Sequence, residues 1–538
     1  MEDQPLTILL VVGTGGFSHA VPVLELGRIL HDRGYQIEFA THQTQEQWVE
    51  TPYYSFVSEV HAMGPRMPAD VEDRHYFEMQ NSDMRKDFGA VFKPKHTVDA
   101  FWTSDYAYLK DTIIPKCNPA FIVADFFVDA VKDINHQLGI PFCHVWPQMP
   151  YGFCSVPYIP GIPGFQVDAL SSEHASIWTR LRAELRPLRA LPAILRYLRF
   201  VKNMRKASGV FYAIPIFNKP SWLILVNSFW GLEVPKELPP LVAAVGPILP
   251  EQYPPLDEAF GEFLASRPKV VYIAFGSHIR ILPPELAKFI EALSLLLREG
   301  LIDGVIWAVN APQRKLFNRD EQVPGEDFNV GTMLDGKHRA WMFTPFAPQR
   351  AILEHPHTVL FISHGGGSSA NEALYHGTPL LVLGFFFDQP LNALRLTDAG
   401  VALTLDKAGF TTAEIVSKIR QILEDKLGLF AKDVARMQKI TQASSRKKQH
   451  ACDLIEEMMW DHHFSVEPSP TENGPKRRRP MHFQTADMRM SAWKARNWDL
   501  AAVSLVGSCI VVGVGVAVSM GAWARRVPSL PTSWYLKS

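Results

Sequence analysis

Short apolar segments alternate with helical segments along two stretches of the chain, and this alternation restricts the fold more than any other feature. In the first stretch the apolar segments are TILLVVG, YQIEFAT, AFIVADFF and IPFCHVW. In the second they are KVVYIAFGS, GVIWAVN, HTVLFISHGG and TPLLVLGF. Nearly continuous apolar strands joined by helices are typical of a parallel sheet covered on both faces. We therefore predict an α/β fold in which two parallel-sheet domains face a cleft.

A proline-rich segment, VPKELPPLVAAVGPILPEQYPPL, lies between the two stretches and predicts a linker over residues 236–268. The linker separates an N-terminal domain, 1–235, from a C-terminal domain, 269–460. A basic polar linker follows over 461–499, and a short tail over 524–538 ends the sequence. Ligands of open parallel sheets bind beyond the carboxyl ends of the strands. We therefore expect the functional site where the two domains face each other.

The segment 500–523 contains 24 residues without a charge. As a helix it is about 36 Å long at ~1.5 Å per residue, enough to cross a hydrocarbon core of ~30 Å. Trp498 and Trp523 lie at its ends, as is typical of a membrane interface. The opening residues lack the basic region and cleavage site of a signal peptide. We expect a single-pass C-terminal membrane anchor that leaves the folded domains in the cytosol, on the endoplasmic reticulum face. The alternative is a buried core helix.

The segment 180–206 carries nine Lys or Arg residues and one acid. Its apolar residues recur at three- and four-residue steps opposite the arginines, as in an amphipathic helix; they are Leu181, Leu185, Leu188, Leu191, Leu195, Leu198 and Val201. One interpretation is a surface helix pair, broken at Pro187 and Pro192, with a solvated basic face. The other is a membrane-surface segment that lies on anionic lipid or roofs a lipophilic pocket.

The charge balance argues against a nucleic-acid-binding protein, and the cysteine content argues against a disulfide-rich or zinc-ribbon protein. The chain has 54 Lys and Arg against 55 Asp and Glu, and a nucleic-acid partner calls for a basic surplus or a basic face. We therefore expect no nucleic-acid partner. The five cysteines are too few and too scattered for a disulfide framework or a zinc ribbon.

The first candidate site is the turn Gly13-Thr-Gly-Gly-Phe-Ser-His19, which links a strand to a helix. His19 lies at the first helical turn, where it is placed to act as a base near neutral pH; alternatively it is a capping or packing histidine. Asp125 ends the strand AFIVADFF at the same edge of the sheet, where it can orient His19 through a hydrogen bond. Asp129, one helical turn later, is the rival for that role.

The second candidate site lies between Phe346 and Ala393. A strand leads into His364-Gly-Gly-Gly-Ser-Ser369 and then into a helix, an arrangement that can cradle an anion with backbone amides, a hydroxyl and an imidazole. Glu372 follows within that helix, where a carboxylate can accept hydrogen bonds from a ribose diol. Asp388-Gln389, after the next strand, offer donors and acceptors to sugar hydroxyls.

These motifs, in this order and spacing, resemble the UDP-glycosyltransferases of the family-1, GT-B type from Thr7 to about Met459. The glycine-rich loop is closer to membrane-anchored animal members than to the plant signature, in which Phe346 is a tryptophan. An anchored chain without a signal peptide resembles the fungal transferases of lipophilic metabolites. The resemblance implies two Rossmann-like domains facing a cleft.

The resemblance also implies a role for each site residue. It makes His19 the catalytic base and Asp125 its helper. The implied donor contacts are Phe346 on uracil, Gln349 on base or ribose, Glu372 on the ribose hydroxyls, His364, Gly366 and Ser369 on the diphosphate, Ser277 near the phosphates, and Asp388 with Gln389 on the sugar.

The reaction implied is a single displacement with inversion, from a UDP-sugar, with glucose the expected sugar, to a hydroxyl of a small lipophilic acceptor. No cofactor and no metal are expected, because the chain has no Asp-x-Asp motif. His355 and His357 could form a metal-ligand pair, but the sequence offers no nearby third ligand.

Two alternatives remain at this stage. The first is a nicotinamide-dependent oxidoreductase that uses the Gly13 turn, with Glu38 ending the next strand as the acid of a dinucleotide site; Ser18 in place of the third glycine weakens it. The second is a non-catalytic membrane scaffold that binds a UDP-sugar. The intact set of His19, Asp125, Glu372 and Asp388 argues against that scaffold.

Overall fold

The computed structural model describes residues 5–83, 85–150, 154–162, 166, 168–213, 219–467 and 476–525. The chain forms two compact units, Met1–Met481 and His482–Ser538. Most of the predicted tail 524–538 and the middle of the predicted linker 461–499 lie outside the described residues.

The first unit contains a parallel sheet of seven strands in the order β3-β2-β1-β4-β5-β6-β7. Its strands are β1 Thr7–Val12, β2 Gln36–Thr41, β3 Val57–Ala62, β4 Phe121–Asp125, β5 Phe142–Trp146, β6 Leu223–Val226 and β7 Val242–Ala244. The central strand β4 is buried along its whole length, and it is apolar except for Asp125 at its carboxyl end. The direction of the strand order reverses between β1 and β4, which makes their carboxyl ends the expected place for a ligand.

A second parallel sheet in the same unit has six strands in the order β10-β9-β8-β11-β12-β13. The strands are β8 Val270–Ala274, β9 Gly304–Ala308, β10 Trp341–Thr344, β11 Thr358–Ser363, β12 Leu380–Val382 and β13 Ala402–Thr404. Here the order reverses between β8 and β11. The two sheets therefore have the same topology over their first six strands, and both match the doubly wound order. The predicted pair of Rossmann-like domains is confirmed.

Helices cover both faces of each sheet. In the N-terminal part they are α1 Phe17–Asp32, α2 Ala69–Gln80, α3 Phe92–Asp99, α4 Trp102–Tyr108, α5 Ile114–Cys117, α6 Ala130–Leu138, α7 Ile177–Arg189 and α8 Leu191–Ala207. Those that follow are α9 Glu258–Ala265, α10 Pro283–Arg298, α11 Ala311–Arg314, α12 Val330–Leu334, α13 Gln349–Glu354, α14 Gly367–His376, α15 Gln389–Asp398, α16 Thr412–Glu424, α17 Leu429–Ser444 and α18 Lys448–Ser465. A two-stranded ribbon, β14 Val466–Glu467 and β15 Lys476–Arg477, follows α18.

The segment 236–268, predicted to be a linker, contributes a strand to the first domain and a helix to the second. Its β7 pairs with β6 at the edge of the first sheet, and its α9 packs in the core of the second domain. The C-terminal helix α18 returns to the first domain, where Lys448 Nζ donates to Glu25 Oε1 of α1 at 2.6 Å. The chain therefore crosses between the domains twice.

The segment 180–206 forms the helix pair α7 and α8, with a single break at Ala190. Pro192 lies in the first turn of α8, where a missing N–H breaks no helical hydrogen bond. Pro187 lies inside the last turn of α7 and does not end it. The predicted breaks at the two prolines are therefore wrong, although the helix pair is present.

The second unit contains α19, Ala492–Ala495, and α20, Trp498–Ala524. With 27 residues, α20 is long and apolar enough to cross a membrane, and none of its central window is buried. The alternative of a buried core helix is therefore wrong.

Candidate active site

A cavity of about 1320 Å³ lies between the two sheets, and the four switch-point strands lead into it. His19 follows β1, and Asp125 ends β4. On the opposite side, Ser277 follows β8 and His364 follows β11. All four residues line the cavity. The shared topology of the domains therefore brings the two predicted candidate sites together. We call the one around His19 and Asp125 the first half-site and the one around His364 the second half-site.

His19 is hydrogen-bonded to Asp125, as predicted. Its Nδ1 donates to Asp125 Oδ1 at 2.8 Å, and Asp125 Oδ2 accepts from the backbone N–H of Phe127 at 2.9 Å. The imidazole packs against the Phe126 and Phe127 rings. Since Nδ1 is occupied, Nε2 is the nitrogen available to a ligand. Asp129, the rival partner, is paired instead with Lys132 and Lys95.

The close approach of His19 to the preceding turn requires glycine at position 15. Gly15 has φ +99°, and a Cβ there would lie 2.6 Å from His19 Cδ2. The residue therefore provides both a left-handed backbone and room for the imidazole.

The electrostatic surroundings favour the protonated form of His19. Burial lowers its pKa, but the charge and hydrogen bond of Asp125 and the charge of Asp388 outweigh burial, so the pKa lies above its ordinary value of 6.5. An imidazolium formed during a reaction at this position is stabilised by two carboxylates.

His364 lies between two glycines of the second half-site. A Cβ on Gly276 would lie 3.1 Å from its Nε2, and one on Gly366 would lie 2.5 Å from the same atom. Burial lowers the pKa of His364 to about 4, so the ring is neutral. The glycines therefore serve to pack this imidazole as well as to expose backbone amides.

Helix α14 begins directly after the glycine loop, and its first turn carries Ser368 and Ser369. Ser369 Oγ accepts from Gln349 Nε2 at 3.3 Å. Ser368 Oγ donates to the backbone oxygen of Ser18 in α1 at 3.4 Å, a direct contact across the cleft. The N-termini of α1 and α14 therefore meet at the cavity.

Gln349 connects Ser369, Glu372 and Tyr272 beside α14. Its Nε2 donates to Glu372 Oε2 at 2.7 Å, and its Oε1 accepts from Tyr272 OH at 3.2 Å. Burial raises the pKa of Glu372, although the Gln349 hydrogen bond and Arg350 oppose the shift. Phe346 lies before this cluster with 72% of its surface exposed, so its ring is accessible for stacking.

Asp388 directly precedes α15 and Gln389 is its first residue, and the two side chains differ in their environment. Asp388 Oδ2 accepts from Asn392 Nδ2 at 2.9 Å and from the backbone N–H of Gly367 at 3.3 Å, and burial raises its pKa. Gln389 Oε1 accepts from the backbone N–H groups of Phe385 and Phe386 at 3.0 and 3.3 Å. The Gln389 oxygen is therefore committed to the loop, and only its amide nitrogen is left for a ligand.

Sequence reasoning missed two residues of the site. Asn392 bonds both Asp388 and the backbone oxygen of Gly365, and its position four residues after Asp388 on a helix was a usable signal. His278 lines the cavity directly after Ser277. A histidine in the turn after a switch-point strand was the available signal there.

The far side of the cavity is lined by apolar residues of α3, α4 and α8, with a charged cluster among them. The apolar residues include Phe92, Trp102, Ile194, Leu198, Val201 and Met204. In the cluster, Lys95 Nζ donates to Asp99 Oδ1 at 2.8 Å and lies 3.7 Å from Asp129.

Comparison with known proteins shows the family. The chain is 37% identical over 520 residues to UDP-glycosyltransferase FPY2 of Fusarium mangiferae, covering 92% of this chain and 94% of that protein. It is 39% identical over 519 residues to UDP-glycosyltransferase stmC of Aspergillus ustus, covering 94% and 96%. The family model "UDP-glucoronosyl and UDP-glucosyl transferase" matches residues 213–447. The chain belongs to the UDP-glycosyltransferase family.

Solved structures of glycosyltransferases share the fold. The glycosyltransferase of kitacinnamycin aligns with a TM-score of 0.56 at 18% identity, covering 85% of this chain and 99% of that one. A UDP-glucosyltransferase from Polygonum tinctorium, capable of glucosylating indoxyl, aligns with a TM-score of 0.55 at 18% identity, covering 84% and 99%. The architecture of this UDP-glycosyltransferase is therefore GT-B, and the enzyme transfers a sugar from a UDP-sugar.

Membership of the UDP-glycosyltransferase family removes the oxidoreductase and scaffold alternatives. The structure adds a physical reason against the oxidoreductase, because Glu38 lies in the middle of β2 and not at its carboxyl end. Glu38 Oε2 instead contacts His61 Nε2 of β3 at 2.7 Å. Glu38, Glu59 and His61 are close enough to share a cation, but Glu59 is already paired with Lys116.

Proposed function

We propose that this transferase moves glucose from UDP-glucose to a hydroxyl of a small lipophilic acceptor, with inversion at the anomeric carbon. One observation carries the proposal: the His19–Asp125 pair and the His364 loop line opposite sides of a single cavity. A base on one side and an anion-binding helix N-terminus on the other are the two parts that a direct displacement needs.

In the proposed reaction, His19 Nε2 takes the proton from the acceptor hydroxyl while its oxygen attacks the anomeric carbon. The bond from that carbon to the phosphate oxygen breaks on the opposite face, and UDP leaves with the electron pair. Asp125 stabilises the imidazolium. The N-terminus of α14, with Gly366 and Ser369, stabilises the negative charge that develops on the diphosphate.

Each donor-binding assignment is supported by a local feature. The accessible ring of Phe346 suits stacking on uracil, and the Gln349–Glu372 pair suits the base and ribose. Ser277, exposed after β8, suits a phosphate contact. Asp388 and the amide nitrogen of Gln389 suit sugar hydroxyls, and glucose is proposed because the family resemblance implies it for this pair.

The acceptor is proposed to be lipophilic because the far side of the cavity is mainly apolar and aromatic. Its charged cluster of Lys95, Asp99, Asp129 and Lys132 favours an acceptor that also carries a polar group. We propose that no metal or cofactor takes part, since α14 and its neighbours already supply donors for the diphosphate.

We propose that α20 anchors the enzyme in a membrane, with the catalytic unit on the cytosolic face of the endoplasmic reticulum. The segment 180–206 supports a second membrane contact. Five of its leucines point outward between basic residues: Leu181, Leu185, Leu188, Leu191 and Leu195. Leu188 is 63% exposed and Trp178 in the same helix is 71% exposed. An apolar stripe with flanking arginines on the outer face suits an anionic lipid surface.

The test of the proposed function is a transfer assay with the full-length protein in microsomes. Incubation with UDP-glucose and a panel of lipophilic alcohols and phenols should give glycosylated products that mass spectrometry detects, together with released UDP. Transfer from another UDP-sugar in preference to UDP-glucose would contradict the choice of glucose but not the sugar transfer itself. Absence of any product across the panel would contradict the proposed acceptor class.

A further inference from the structure

His278 is a second histidine at the junction of the two half-sites, and its ring is held firmly. It stacks on Tyr76 of α2 with ring centroids 3.9 Å apart, and Tyr76 stacks in turn on Phe386. The backbone of Arg280, two residues later, exchanges hydrogen bonds of 2.6 and 2.9 Å with the Gln80 side chain at the end of α2. The loop that carries His278 is therefore fixed from both domains.

The nitrogen Nε2 of His278 is buried and has no hydrogen-bond partner among the described residues. It faces the N-terminus of α1, since a Cβ on Gly16 would lie 3.4 Å from it. The other nitrogen, Nδ1, is 4.0 Å from Glu72 Oε1, too far for a direct hydrogen bond. A buried polar atom without a partner is unfavourable, and a ligand in the cavity that His278 lines can supply the missing bond.

The surroundings of His278 identify the part of the donor that it faces. Burial lowers its pKa to about 3, and Arg280, His19, His364 and Arg66 add to the effect, so the ring is neutral. The geometry places His278 between the two residues: a Cβ on Gly16, three residues before His19, would lie 3.4 Å from His278 Nε2, and Gly276, two residues before His278, packs against the His364 ring. In the proposed reaction the anomeric carbon is attacked by an oxygen bound to His19 and releases a phosphate bound near His364. The transferred sugar must therefore lie between these two residues.

We propose that His278 Nε2 forms a hydrogen bond with a hydroxyl of the transferred sugar, as a donor-sugar-binding residue in addition to Asp388. The inference rests on the proposed function. A sugar hydroxyl both donates and accepts, so it satisfies the nitrogen in either tautomer of the neutral ring. The alternative is that His278 only packs between the domains as one member of the aromatic stack.

The experiment compares UDP with UDP-glucose, because only the second carries the sugar. Isothermal titration calorimetry on the full-length protein in detergent gives the two dissociation constants for the wild type and for His278→Phe, which keeps a ring on Tyr76 and removes both nitrogens. We expect the variant to bind UDP-glucose about five- to tenfold more weakly and to bind UDP as the wild type does. His278→Gln, which restores a hydrogen-bonding group, should recover part of the loss.

The matched control is His174→Phe, in a loop where the imidazole is almost fully exposed, which should leave both constants unchanged. Equal weakening of UDP and UDP-glucose in His278→Phe would overturn the sugar contact, because it would indicate a diphosphate or packing role. Unchanged binding of both would overturn it as well. If the wild type bound neither nucleotide, the proposed function itself would be overturned. The wild-type titration therefore distinguishes this outcome from a failure of the His278 proposal alone.

Discussion

His19 Nδ1 lies 2.8 Å from Asp125 Oδ1, although the two residues are 106 positions apart in the chain. They meet because β1 and β4 are neighbours at the switch point of the first sheet, so residues at both carboxyl ends share one edge. Asp125 is only 2% exposed, and its second oxygen is fixed by a backbone N–H. The pair is therefore oriented before any ligand binds.

Replacing Asp125 by Asn should lower kcat about 10²- to 10³-fold at neutral pH, because the charge that stabilises the imidazolium is removed. The substitution should also move the pH profile. His19 acts as a base in its neutral form, so activity rises as pH increases through its pKa, which Asp125 holds above 6.5. Without that charge the pKa falls, and the acidic limb of kcat should shift to lower pH.

The matched control for this shift is Asp129→Asn, measured over the same pH range. Asp129 is paired with Lys132 and Lys95, so its loss should leave the midpoint of the acidic limb in place even if kcat changes. If Asp129→Asn shifted the midpoint as much as Asp125→Asn does, the result would contradict the conclusion that Asp125, and not Asp129, orients His19.

Gly15→Ala should reduce kcat at least tenfold, because its Cβ would lie 2.6 Å from the His19 ring and displace it. Gly34→Ala is the matched control. Gly34 has almost the same backbone angle, φ +97° against +99°, but nothing lies within 4 Å of its Cβ position. Both variants should lose about 1–2 kcal/mol of stability from the left-handed backbone, which thermal unfolding measures, and only Gly15→Ala should lose activity. Equal activity of the two variants would contradict a close-packed His19.

Removal of divalent cations should leave transfer unchanged, because the N-terminus of α14 and the neutral His364 supply the donors proposed for the diphosphate. The measurement is kcat after dialysis against EDTA, with and without added Mg²⁺ or Mn²⁺. A loss of activity that the metal restores would refute the proposed metal-free reaction.

The outward leucines of α7 should bind lipid independently of α20. A variant ending at Met481, the end of the first compact unit, should float with vesicles containing anionic lipid and lose this binding when Leu181, Leu185 and Leu188 are changed to Ser. Ser at the exposed Leu427 and Leu429 is the control, since these leucines lie outside the helix pair. Equal flotation of the α7 variant and its parent would count against the second contact.

Much of the fold follows from the sequence because most strand residues are apolar and glycine turns follow several of the strands. The sequence also predicted the contact between His19 and Asp125, since residues after adjacent parallel strands must share an edge. Features that depend on packing between distant segments were less predictable from the sequence. Gln389 turns its oxygen toward the Phe385–Phe386 backbone, and residues 242–244 join the first sheet from within a proline-rich segment.

The helix pair α7 and α8 illustrates a second limit. Leucine periodicity predicts an amphipathic helix but not which side of it faces the protein. Here Leu181, Leu185 and Leu188 face outward, while Leu198 lines the cavity from α8. His278 illustrates a third limit, because its place between the half-sites depends on a stack with Tyr76 that is 202 positions away in the chain.

The most direct test of His19 as the catalytic base is sugar transfer by His19→Ala. The full-length wild type and variant are incubated with UDP-glucose and an acceptor that the wild type glycosylates, and initial rates of glycoside formation are measured with UDP binding as the control for folding. We predict a kcat lower by about 10²- to 10⁴-fold with UDP affinity retained. Transfer at the wild-type rate by His19→Ala would contradict the role of His19 as the catalytic base.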